Sequence, residues 1–191
     1  MNQRTERQRG IGLIEIVITI LIVSISMLGS ISLQLSSKRL GFEAGQRSQA
    51  SNLAQDLIER MRSNSSALDS YALNWKTGTT APASNQDCLA NNCISTDLAG
   101  YDLAQWVSEL QGVSETRELI DGDGAVQTGG LQQASVCVTN SDGFVSVAVA
   151  WRGFQALSDP GLDTCGDDSG LYGSDNEYRQ VLSFSSYIGE L

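Results

Sequence analysis

The chain has 191 residues, with 12 Lys and Arg against 22 Asp and Glu, no histidine and four cysteines, for a formal charge of −10. From Asp87 onward sixteen acidic residues stand against Arg117, Arg152 and Arg179, a field that repels phosphate backbones and excludes nonspecific nucleic-acid binding. The absence of histidine removes the base of a Ser–His–Asp mechanism and the usual nitrogen ligand of zinc.

Met1 to Arg9 is polar and carries Arg4, Arg7 and Arg9 against Glu6. Ahead of an apolar run, that charge pattern keeps the start of the chain in the cytoplasm and sends the rest outward. The run itself, Ile16 to Leu35, has no formal charge. As a helix it reaches about 30 Å, enough to cross a bilayer's hydrocarbon core. Glu15 is out of place at its head, since an unpaired carboxylate near the membrane centre costs about 2.5–3.5 kcal/mol. A secretory signal is cut after its apolar core, but here the small residue, Gly10, precedes it. Cutting after Gly10 removes three Arg and one Glu, takes the charge to −12 and leaves the anchor in place. The new α-amine on Ile11, cationic near neutral pH, is then the natural mate of Glu15. Within one helix the two groups are about 6 Å apart, and a neighbouring chain offset along the axis brings them together more directly.

Gly10, Leu13, Ile14 and Glu15 resemble the class III signal of type IV pilins and pseudopilins. Two positions depart from it: Ile11 stands where Phe is usual, and Gly12 where Thr or Ser is usual. The resemblance implies that a prepilin peptidase cuts after Gly10 and methylates the Ile11 amine. It also implies that Glu15 pairs with the amine of an adjacent subunit during assembly. An uncleaved signal anchor with an accidental Glu is the alternative.

Beyond Lys38 and Arg39 the pattern turns amphipathic. Ala50, Leu53, Ala54, Leu57, Ile58 and Met61 recur at helical spacing, and Ser63 to Ser66 supplies a stop. The first helix is therefore expected to run about fifty residues, weakened by about 1 kcal/mol at each of Gly41 and Gly45. Leu28-Gly29, Leu33-Gln34 and the block Leu53 to Asn64 resemble PilV-type minor pilins, and Ser32 occupies the place of a helix-bending Pro in major pilins.

From Ala67 to Asn92 the chain reads as irregular, with an exposed loop at Lys76 to Asn85. Leu98 to Leu110 reads as a short helix with Leu103, Trp106, Val107 and Leu110 on one face. Gln133 to Thr139 and Phe144 to Trp151 flank the turn-rich Asn140-Ser-Asp-Gly143 and read as a β-hairpin, with a third strand at Tyr178 to Ile188. The expected fold class is α+β and pilin-like: a long N-terminal helix, transmembrane then amphipathic, packed on an antiparallel sheet and stapled by disulfides.

Four cysteines in an exported chain favour disulfides over metal or redox chemistry. Three connectivities are open. Cys88–Cys93, a tight loop, and Cys137–Cys165, tying a strand to a later loop, form the expected set. Cys165-Gly-Asp-Asp-Ser-Gly170 resembles a protease nucleophile loop but has no histidine to serve it. Asp121-Gly-Asp-Gly124 resembles a fragment of an EF-hand loop without its third ligand position or closing Glu. The acidic loop from Asp159 to Glu177 offers Asp163, Asp167, Asp168 and Asp175 as weak calcium candidates, with a solvated acidic turn as the default. No catalytic set, resident metal or cofactor is expected.

The resulting expectation is a leader at 1–10, an anchoring helix at 11–35, its amphipathic continuation at 36–64 and a globular periplasmic domain at 65–191. The resemblance implies a minor pilin of a type IV pilus that helps initiate assembly at or near the tip and supports twitching motility and attachment. Its implied partners are other minor pilins, the major pilin, prepilin peptidase and the inner-membrane assembly platform. The implied location is single-pass in the inner membrane, with the N-terminus cytoplasmic, and then in the fibre. A type II secretion pseudopilin and a membrane-anchored periplasmic binding module are the alternatives.

Overall fold

Helix α1 runs Leu13–Ser63, 51 residues, uninterrupted because the chain's two prolines, Pro82 and Pro160, lie elsewhere. A computed structural model describes residues 12–118, 124–161 and 163–189, and divides into two compact units between Phe42 and Glu43. In the first unit α1 exposes apolar side chains on every side, the composition of a membrane-length helix. Three of its hydroxyls are satisfied by the helix itself: Thr19, Ser24 and Ser26 donate to the carbonyls of Ile16, Ile20 and Ile22 at 2.8, 2.7 and 2.8 Å.

In the second unit α1 becomes one-sided, burying Gln46, Ala50, Ala54, Leu57, Ile58 and Met61 along a single stripe. A 3-10 turn, Ser65–Tyr71, follows, then strand β1, Leu73–Lys76, and helix α2, Ser95–Gln111. Helix α2 buries Ala99, Leu103, Trp106, Val107 and Leu110. It ends where Gly112 turns left-handed, with the N–H groups of Gly112 and Val113 donating to the Glu109 and Ser108 carbonyls. Strands β2, Thr116–Glu118, and β3, Ala125–Gln127, form a small separate antiparallel pair.

The main sheet holds β1, β4 (Ser135–Ser141), β5 (Phe144–Arg152) and β6 (Arg179–Tyr187) in the order β1-β4-β5-β6, antiparallel throughout. Asp142 and Gly143 join β4 to β5 with φ of 52° and 84°, the positive pair of a two-residue turn whose twist suits a hairpin. One face of the sheet presents Trp75, Val136, Val138, Val145, Val147, Val149 and Trp151 to a core shared with both helices. Each such fully buried aliphatic side chain is worth about 1.5–3 kcal/mol.

The other face is covered too. Ala148 and Ala150 are buried beneath the segment 153–178, which folds back over β5. Their small side chains permit that approach, and Cys165, on the returning segment, places its Sγ 3.6 Å from the Ala148 carbonyl oxygen.

The structure is α+β, with a long N-terminal helix, a four-stranded antiparallel sheet and two disulfides. The segment 67–92, read as irregular, in fact holds most of the 3-10 turn and all of β1. Four residues in a polar stretch carry little period, and β1 exists only through pairing with the distant β4. Helix α2 also begins earlier than expected, at Ser95.

Candidate assembly site

Glu15 lies in the first turn of α1, where its backbone N–H donates to the Gly12 carbonyl at 3.0 Å. It is the only formally charged residue from Gly12 to Ser37, and its carboxylate has no hydrogen-bond or ion-pair partner among the described residues. Gly10 and Ile11, the expected cleavage point and new N-terminus, lie outside the described residues, as do Asp121 and Asp123 of the EF-hand-like fragment.

The rest of the molecule holds the outer part of α1 firmly. Gln46, buried on α1, donates from Nε2 to the Gly130 carbonyl and accepts the Gln132 N–H at its Oε1, both at 3.2 Å. Trp106 of α2 donates its indole N–H to the Leu53 carbonyl at 2.8 Å, reaching into the α1 backbone. Arg60 gathers Asp56 of its own helix at 2.7 Å, and Gln105, Glu109 and Asp102 of α2 at 3.0, 3.4 and 3.6 Å. Burial acts to lower the Arg60 pKa, but the Asp56, Glu109 and Asp102 carboxylates outweigh it and the guanidinium is held charged above its ordinary range.

Cys88–Cys93 closes a tight loop, capped where Asp87 Oδ1 accepts the Leu89 N–H at 3.0 Å. Cys137–Cys165 joins β4 to the segment folded over the sheet. That segment also carries the acidic candidates, and its centre is a residue that sequence reasoning passed over. Arg179, at the start of β6, is fully buried. Its guanidinium donates to the Asp159 carboxylate and to the carbonyls of Asp163 and Cys165, the latter two at 2.6 and 2.9 Å. Asp167 Oδ1 stands 2.7 Å from Nη2, an ion pair off the hydrogen-bonding direction.

The acidic loop is thus organised around a cation supplied by the chain itself. Asp163 turns its carboxylate onto the Cys165 N–H at 2.9 Å. Asp168 lies in the short 3-10 turn 167–169 on the wall of an open groove, and Asp175 uses its N–H to hold Glu177 at 3.1 Å. Among the described residues no group of three or more acidic or cysteine side chains converges as a metal would need. The signal available in the sequence was a lone Arg directly after six acids between Asp159 and Glu177.

Two further anchors fix the same segment. The Tyr172 hydroxyl donates to the Gln133 carbonyl and meets Ser135 Oγ, both at 2.9 Å, and burial pushes its pKa up to about 12. Arg152 donates to the Leu171 carbonyl at 2.6 Å and lies 4.4 Å over the Tyr178 ring.

A family model described as Tt1218-like, type IV pilin Tt1218, matches residues 32–104. Over that span the chain is similar to type IV pilins. No curated protein and no solved structure matches it. The match takes in α1 from Ser32, the 3-10 turn, β1, the Cys88–Cys93 loop and α2 as far as Ala104. The membrane-length part of α1 fits the single-pass anchor of a pilin of that kind.

Proposed function

We propose that the chain is a PilV-type minor pilin, cut after Gly10, methylated on Ile11 and inserted with residues 65–191 facing the periplasm. It then joins other minor pilins to initiate a type IV pilus at or near the tip. The observation that carries this reading is Glu15, a carboxylate without a partner among the described residues, at the head of a helix otherwise uncharged to Ser37. A group so placed favours a cationic partner, and the Ile11 amine of a neighbouring chain offset along the axis meets it more directly than its own, so the helix suits lateral assembly. Residues 11–35 then serve as the anchor and later the fibre core, while 36–64 carry the globular part.

Intact and N-terminal peptide mass spectrometry, on cells with and without prepilin peptidase, tests the processing. The expected result is a chain starting at methylated Ile11 only when the peptidase is present. A chain starting at Met1 in both strains overturns the proposal. Deletion of the gene is expected to abolish twitching and leave exoprotein secretion intact; the opposite pattern assigns the chain to a type II secretion machine.

A further inference from the structure

We propose that the cleft at the hairpin end of the main sheet is a saccharide-binding site selective for neutral or amino sugars. Phe144 and Tyr187 face each other across β5 and β6, with ring centroids 4.9 Å apart and planes inclined at 53°. They are 65% and 61% exposed, whereas Tyr71, Trp75, Trp106, Trp151 and Tyr172 are all buried. Tyr187, which packs against Phe144, lines a cleft of about 520 Å³ whose remaining lining is mainly polar.

The cleft is pre-organised. Asn140 accepts the Gly143 N–H at 3.1 Å and donates to Asp69 at 2.7 Å, while the Ile188 N–H donates to the Gly143 carbonyl at 2.8 Å. A Cβ on Gly143 would stand 2.8 Å from the Ile188 carbonyl oxygen and 3.1 Å from the Tyr187 ring, so glycine lets the ring lie against the turn. The Asp142 carboxylate and the hydroxyls of Ser70 and Thr96 have no hydrogen-bond partner among the described residues. They remain available to a ligand.

These features fit one ligand chemistry. A pyranose offers an apolar C–H face to an aromatic ring and adjacent hydroxyls that match carboxylate and amide groups. No Lys or Arg lines the cleft among the described residues, while Asp69 and Asp142 do. Sialic and uronic acids are therefore repelled, and a protonated amino sugar is accepted. The site depends on residues of the domain and not on which machine uses the pilin.

The test is ligand-observed saturation-transfer NMR on the full chain in a phosphocholine detergent, which is itself free of sugar, with lactose, glucosamine and 3′-sialyllactose each at up to about 10 mM. Lactose or glucosamine is expected to bind. Tyr187→Ala is expected to weaken that binding at least about tenfold and Tyr187→Phe, which keeps the ring, to retain it. Tyr187 is exposed, and an unchanged thermal midpoint shows that the variants fold. Absence of binding by lactose and glucosamine, preference for 3′-sialyllactose, or binding indifferent to Tyr187→Ala overturns the proposal.

Discussion

Tyr71 donates its phenolic proton to the carboxylate of Asp102, tying the turn that ends α1 to the middle of α2. Asn64 donates to the same phenolic oxygen at 3.2 Å, so the hydroxyl is satisfied from both sides. Burial, and then the Asp102 carboxylate, push the Tyr71 pKa above its ordinary value. Tyr71→Phe removes both hydrogen bonds while keeping the ring, and is expected to lower stability by about 1–3 kcal/mol. Urea unfolding followed by tryptophan fluorescence measures it; an unchanged midpoint contradicts the role.

Arg179 is the keystone of the segment 153–178. Arg179→Gln leaves Asp159, Asp167 and two carbonyls without their shared donor, and is expected to cost about 3 kcal/mol. Arg179→Lys does not restore it, because a point-like ammonium cannot reach the acceptors that the planar fork spans. Limited proteolysis checks this, with cleavage inside 153–178 rising sharply in both variants and little elsewhere.

Acid sensitivity follows from the same cluster. The hydrogen bond from Arg179 holds the Asp159 carboxyl below its ordinary value. A carboxyl with a depressed folded pKa contributes stability that is present above the unfolded pKa and disappears as pH falls through the folded one. The wild-type unfolding midpoint is therefore expected to drop below about pH 4 more steeply than that of Asp159→Asn, the two curves converging at the acid end. Parallel curves across that range would show that Asp159 does not carry the effect.

Gly112 is the second glycine whose geometry is decisive. Its φ is 65°, and a Cβ there would run into the backbone of Gly129 and Gly130. Gly112→Ala is expected to destabilise the domain by about 1–3 kcal/mol through strain and displacement of the 129–130 backbone from α2. Gly100→Ala, on α2 in open space, is the matched control and is expected to be neutral or slightly stabilising.

The two hydrophobic periods were legible in the residues themselves. An uncharged run from Ile16, a stripe from Ala50 to Met61 and the alternation of Val145, Val147, Val149 and Trp151 are local patterns. Helix and hairpin follow from them with no knowledge of distant neighbours. The turn was local too, legible as the link Asn140–Gly143, although pairing with β5 carries β4 on to Ser141 and narrows the turn to Asp142 and Gly143. Glu15 stood out for the same reason: its cost is set by the neighbours along its own helix.

Tertiary structure alone decided the rest, because those features depend on residues far apart in sequence. Strand β1 has too few residues to declare itself and forms only on the edge that β4 offers. The acids of the loop 159–177 read as solvated or metal-seeking until Arg179 is seen buried beneath them, since a charge's partner is fixed by packing and not by proximity in the chain. The cleft at the hairpin end joins Ser70, Thr96, Asp142 and Tyr187 from four separate segments. Local periodicity therefore determined most of the elements this chain forms, while β1, the partners of its buried charges and the composition of its clefts came from how those elements pack.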